Sequence, residues 1–340
     1  MTKKVTIKIP VKKGTPNKPH IQPKSHQTGS ANQFVQPVNK HELKPFIDWI
    51  SINITPHEKD QHDIHDAFWT AVSDPKLLAD ALSAEKKGAG IGFNVAKRVV
   101  LPSIDAEKKR PTLFVRHLKE QKRISKLLLN FVPVDLGADG MLDLHVAINM
   151  ILPDGWLYAV THGRVTRMDV AVDLPGLTMD SIHFQPQKAA YSQRLFPDGQ
   201  LETIYIGKSK SAQTVIYDRS KKRAKLGQSM PQCLRIERRM KLGGMKLTNL
   251  LGMKNPFLNT KLAVALPGPP NPAKEKEWAM FGDSVKERGL PAALTLLPKD
   301  RRVAYKKHID AHLLPIWNPE EIWKSWQPML DELKIVSPHW

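Results

Sequence analysis

Arg167-Met-Asp-Val-Ala-Val-Asp173 is the stretch on which the reading of the chain turns. At period two it is a β-strand with unlike faces: Met168, Val170, Val172 and Leu174 are apolar on one side, while Arg167, Asp169, Ala171 and Asp173 occupy the other. Residues two apart on a strand share a side at roughly 6.5 to 7 Å, and Ala171 leaves room between the two carboxylates. Carboxylates held on a rigid element suit a hard divalent cation, Mg²⁺ or Mn²⁺, which prefers oxygen ligands. An ordinary half-wet antiparallel strand shows the same alternation, so the neighbouring segments have to decide.

Downstream, Leu201–Gly207 and Gln213–Asp218 read as a hairpin around Lys208-Ser-Lys-Ser211, whose tip offers cations and a hydroxyl to a phosphate. Gly207-Lys-Ser209 is not a P-loop, because Glu202 stands where its earlier glycine is required. Leu234-Arg-Ile-Glu-Arg238 alternates again, with Arg235 and Glu237 on one face. From Lys208 to Lys246 the only carboxylates are Asp218 and Glu237. Glu237 in that positive field suits a metal or the orientation of an arginine; equally, it can pair with Arg219 or Arg235.

Upstream, Pro45–Ile54 reads as an entry turn and first strand, and a helix is expected from about His62 to Ser83. Strands are expected over 112–117, 142–150 and Trp156–Val160, forming an antiparallel meander into the opening strand. A further helix is expected in the Gln187–Arg194 region. His57, His62 and His65 match no zinc template, and Gly88-Ala-Gly-Ile-Gly92 meets Phe93 where a dinucleotide fingerprint needs glycine.

The charge balance narrows the partner. The 340 residues include 52 Lys and Arg against 33 Asp and Glu, a net charge of +19, which favours a polyanion and nucleic acid first of all. No long apolar run suggests a membrane span, and a lone Cys233 fits a reducing, cytoplasmic setting. Residues 1–40 lack any acidic residue and read as a disordered basic arm. Leu266-Pro-Gly-Pro-Pro-Asn-Pro272 is a stiff Pro-rich linker that divides a domain over 41–265 from a helical C-terminal module over 273–340. The architecture expected is α+β, a mostly antiparallel sheet with helices.

Three polar strand faces then stand together: Asp169 with Asp173, Tyr205 with Tyr217, and Arg235 with Glu237. Tyrosine beside carboxylates in a cationic protein suggests a phenolate attacking a phosphodiester, leaving a phosphotyrosine bond and a free 3′-hydroxyl. A divalent ion would polarise the phosphate, and nearby Arg and Lys would lower the tyrosine pKa from about 10. Either tyrosine can serve on this pattern alone.

Taken in order, Asp48-Trp-Ile-Ser51, Arg167–Asp173, Thr203-Ile-Tyr-Ile-Gly-Lys-Ser209, Ile216-Tyr-Asp-Arg219 and Leu234-Arg-Ile-Glu237 resemble the Rep_trans replication initiation factors. These serve rolling-circle plasmids and filamentous phages, and the family includes some relaxases of conjugative elements. The resemblance implies an HUH-like endonuclease fold in its carboxylate variant, since no His-hydrophobic-His motif is present. It implies Tyr217 as nicking nucleophile with Arg219 at the family's lysine position, and Asp169, Asp173 and Glu237 as metal ligands. Lys222 stands where plasmid members often carry glutamate, which favours the phage-type branch. Candidate DNA contacts are Arg167, Lys208, Ser209, Lys210, Lys221, Lys222 and Arg235. Implied partners are origin DNA, a host helicase and polymerase, and a second copy of the chain in a homodimer; the same chemistry in a relaxase, or a DNA-binding regulator without catalysis, are the alternative functions.

Overall fold

The computed structural model describes residues 43–82, 92–104, 110–186, 192–195, 200–208, 212–264, 266–315 and 317–336. The basic arm, Gly88–Ile91, the first half of the helix expected from Gln187, and the hairpin-tip residues Ser209 and Lys210 lie outside them.

Twelve strands are present: β1 Phe46–Ile54, β2 Leu78–Asp80, β3 Val95–Val99, β4 Thr112–Leu118, β5 Arg123–Phe131, β6 Gly163–Pro175, β7 Ile182–Pro186, β8 Ser192–Leu195, β9 Thr203–Ile206, β10 Gln213–Asp218, β11 Cys233–Lys246 and β12 Thr260–Val264. Ten form one sheet in the order β2-β3-β4-β5-β1-β6-β11-β10-β9-β8, and β7 pairs with β12 separately. Every pairing is antiparallel. The stretch Arg167–Asp173 lies in β6, at the middle of the large sheet between β1 and β11. Its apolar residues Met168, Val170, Val172 and Leu174 are fully buried in the main core with Ile47, Ile50 and Ile52 of β1 and Leu234 and Ile236 of β11.

Helices α1 (Gln61–Ser73), α2 (Pro133–Asn149) and α3 (Gly155–His162) contribute to that core. Two of them replace expected strands. Leu142–Ile148 alternates in sequence, yet Met141, Leu144, His145 and Ile148 are buried at helical spacing while Leu142 and Val146 are exposed. Trp156–Val160 is likewise in α3, not in a strand. The meander into β6 is thus a helix pair, and β6 receives its sheet partners from β1 and β11. Conversely, Ser192–Leu195, expected as helix, is strand β8, and the helix expected to reach Ser83 stops at Ser73 before β2. Strands β3 and β5 were not anticipated.

Helix α4 (Arg219–Ala224) follows β10 directly, N-capped by Asp218, whose carboxylate accepts from the Lys221 amide at 2.9 Å. Beyond the Pro-rich segment, α5 (Glu275–Arg288), α6 (Leu290–Thr295) and α7 (Lys299–Asp310) share a second core built on Trp278, Phe281, Tyr305 and Ile309 and touching β12 at Ala263. The final helices, α8 (Pro319–Trp323) and α9 (Trp326–Glu332), return to the main core instead. Indole N–H groups fasten that return: Trp317 donates to the Thr260 carbonyl (2.9 Å), Trp323 to Met253 (3.2 Å) and Trp326 to Leu250 (2.8 Å). No helix among the described residues is long and apolar enough to cross a membrane.

Candidate active site

Register builds the site. Across the β6–β11 pair Asp169 faces Arg239, Ala171 faces Glu237 and Asp173 faces Arg235. One strand further, Tyr217 of β10 faces Arg235 and Val215 faces Glu237. Directly opposed residues share a sheet face, so Asp169, Asp173, Glu237, Arg235 and Tyr217 all project from the side opposite the main core. From the other flank, a bulge in β1 between Ile47 and Trp49 brings in Asp48, a common way to re-aim a side chain.

Arg235, buried on this face, ties three strands together. Its Nε and Nη2 donate to the Asp173 carboxylate at 2.6 and 2.9 Å, and its Nη1 donates to Asp48 at 2.5 Å. Such forked pairing is what planar guanidinium offers and an ammonium does not. Arg219, from the first turn of α4, donates to the same Asp173. Asp169 accepts from Arg167 Nη2 and Nε at 2.6 and 3.1 Å, and Glu237 accepts from Arg239 Nε at 2.6 Å. The face is a lattice of alternating charge.

Tyr217 sits within that lattice. Only 5 % exposed, it has Lys222 Nζ over its ring at 4.5 Å from the centroid and faces Arg235 across the β10–β11 pair. Burial pushes its pKa up from the usual phenol value; Arg235 opposes this, while Glu237 and Asp48 add to it. Burial also raises the pKa of Asp48 and of Asp169, and the charge of Glu237 adds to both. The phenol therefore starts protonated, beside carboxylates that take up a proton more readily than usual.

These residues line a cleft of about 660 Å³, together with Trp49, Val132 and Asp135 on one wall and Arg223, Leu226 and Gln228 on another. Of the residues singled out in the sequence, Arg167, Asp169, Tyr217, Arg219, Lys222, Arg235 and Glu237 line it. Asp173 stands behind them, holding Arg235 and Arg219. Lys221 points elsewhere, donating to Gln200 at 2.8 Å, and Lys208 is not part of the lining. Tyr205 shares the face, since its neighbours Ile204 and Ile206 fill the core, but it is not in the cleft lining. Asp48, Asp135, Arg223 and Arg239 carried no assigned role in the sequence reading. For Arg239 the signal was available, because it continues the alternation of Arg235 and Glu237.

Asp169, Asp173 and Glu237 share a face without sharing a ligand shell. Each is held by a guanidinium, and among the described residues no three His, Cys, Asp or Glu side chains come together as a metal site. In this arrangement the donors do not fit a divalent ion. The arginines supply the local positive charge.

No family model matches the chain, and no curated protein matches it in sequence. Among solved structures, a rolling circle replication initiator protein from Geobacillus stearothermophilus aligns over 72% of this chain and 97% of that one, at 14% identity and a TM-score of 0.29. Superposition that loose establishes neither a shared fold nor a shared activity.

Proposed function

We propose that the chain initiates replication by nicking one DNA strand, as an HUH-like endonuclease variant that lacks the histidine pair. The observation that supports this most is the placement of Tyr217 in a cleft with Arg235 opposite it on the neighbouring strand, Lys222 over its ring, and Arg167, Arg219 and Arg239 in the same lining. A phosphodiester drawn into the cleft competes with the carboxylates for these guanidinium groups, which bind phosphate in the same forked geometry. The phenol proton passes to Asp48 or Glu237 as the Tyr217 oxygen bonds to phosphorus. The P–O3′ bond then breaks, and the departing 3′-oxygen takes up a proton to become the hydroxyl a host polymerase extends behind a host helicase. Arginines steady the charge gathering on the non-bridging oxygens.

The test uses labelled single-stranded oligonucleotides spanning the replicon that encodes the protein, with an adduct read on a denaturing gel. The expected result is a covalent adduct lost in Tyr217→Phe and kept in Tyr205→Phe. Parallel reactions with Mg²⁺, with Mn²⁺ and with chelator decide the need for an ion; dependence on one would require Arg167 or Arg239 to release its carboxylate. A second reading, a DNA-binding regulator without catalysis, is favoured by the depth of Tyr217 and its resistance to ionisation. It predicts no adduct with any oligonucleotide and unaltered DNA binding in Tyr217→Phe.

A further inference from the structure

The cleft has apolar surface that takes no part in its lattice of charge. Leu226, on one wall, is 65 % exposed. It stands on the turn that ends α4, where the Leu226 and Gln228 amides donate to the Arg223 carbonyl at 2.9 and 3.0 Å and Gly227 takes φ 73°. Trp49, on the other wall, follows the β1 bulge and pairs in register with Asp169. Its indole is therefore on the charged face of the sheet, outside both apolar cores that the described residues form, and only half-buried. Its Nε1 donates to Ser51 Oγ at 2.9 Å, which orients the ring and satisfies its one polar atom. Arg167, itself forked onto Asp169, sets its guanidinium over that ring at 5.7 Å from the centroid.

An oriented indole backed by a guanidinium is a platform for a nucleobase, because every base has a π-face and both groups stack on it. Register sets its distance from Tyr217. Strands β1 and β10 are three strand spacings apart, about 14 Å. Trp49 is level with Asp169 and Tyr217 with Asp173, four residues or about 13 Å further along β6. The two Cα atoms are thus about 20 Å apart, the span of a few nucleotides rather than one. A cleft of about 660 Å³ is of the size that encloses a small ligand, so unpaired nucleotides fit it and a duplex does not.

We propose that Trp49 is a base-stacking subsite: a base of the bound single strand, a few nucleotides from the phosphodiester at Tyr217, lies against the indole and fixes the register of the strand in the cleft. The subsite rests on the reading of the cleft as the place where the nicked strand lies. Fluorescence anisotropy with labelled single-stranded oligonucleotides from the encoding replicon tests it, using full-length Tyr217→Phe protein so that no adduct forms. A single abasic residue is walked along the strand. One position is expected to weaken binding about tenfold, a few nucleotides from the phosphate at which wild type forms its adduct. Adding Trp49→Leu should weaken binding of the intact strand by the same factor and flatten the scan, because the ring that the missing base would have met is gone. The salt slope should stay as it was, since no cation is removed. Trp49→Phe should keep the sensitive position, which a merely structural role of the indole does not require. An abasic scan that Trp49→Leu leaves unchanged would overturn the proposal, as would undiminished binding of the intact strand. A sensitive position that depends on Trp49, in a protein whose wild type forms no adduct, would uphold the subsite and remove the nicking reading; no single-strand binding at all would remove both.

Discussion

Arg235 is the residue on which the face depends. It is buried, stacks over the Phe46 ring at 4.7 Å, and joins carboxylates from β1 and β6. Arg235→Met should destabilise the fold by about 3–5 kcal/mol in urea titrations, because half-buried Asp48 loses its arginine and Asp173 is left with Arg219 alone. Arg235→Lys should fall between, keeping charge without the fork. A charge elsewhere in the core gives a pH signature. His145 stacks on Trp156 with ring centroids 4.3 Å apart, and burial pushes its pKa down to about 4. The unfolded chain takes up this proton near pH 6.5 and the folded chain only near pH 4, so stability should fall as pH drops through that window. His145→Gln should flatten the decline by up to about 3 kcal/mol, read as the urea midpoint against pH.

At the scale of elements, the joints between helices are the exacting positions. Gly289 links α5 to α6 at φ 86°, and a Cβ there would lie 2.5 Å from the Arg194 guanidinium. Gly289→Ala should cost about 1–3 kcal/mol, read as a lowered melting temperature. Trp326→Phe should cost about 1–3 kcal/mol by leaving the Leu250 carbonyl with the Met253 amide as its remaining donor and a void where the fully buried indole stood. Elements also mark where sequence was ambiguous. Leu142–Ile148 satisfies both period two and the helical spacing of Met141, Leu144, His145 and Ile148; only packing against the sheet chooses between them. β6, by contrast, is legible because its apolar and charged sets separate completely at period two.

For the whole molecule, a net charge of +19 promises strong, salt-sensitive binding to nucleic acid. The lattice moderates that promise within the cleft. Arg167, Arg219, Arg235 and Arg239 already hold carboxylates, so each phosphate that enters displaces an internal anion rather than adding to a bare positive surface. Single-strand binding in the cleft should therefore show a salt slope of only about two, below the four or so that the cleft's cations would give if unpaired. Fluorescence anisotropy between 50 and 200 mM salt, comparing wild type with Lys222 and Arg223 replaced by Ala, reads the cleft's contribution as the difference in slope.

Read alone, the sequence determined the charge excess of +19, the two-faced strand β6, the hairpin carrying Tyr205 and Tyr217, and the alternation of Arg235 with Glu237. Those are properties of charge total and of period two, and both are local. Which of the two tyrosines enters the cleft, that Asp48 arrives through a bulge, and that Asp48, Asp169, Asp173 and Glu237 are each answered by an arginine were decided only by tertiary structure. Strand register and pairing order join residues as far apart in sequence as Asp48 and Arg235. The same long-range packing made helices of Leu142–Ile148 and Trp156–Val160, because burial against a distant sheet outweighs a local pattern that fits either period.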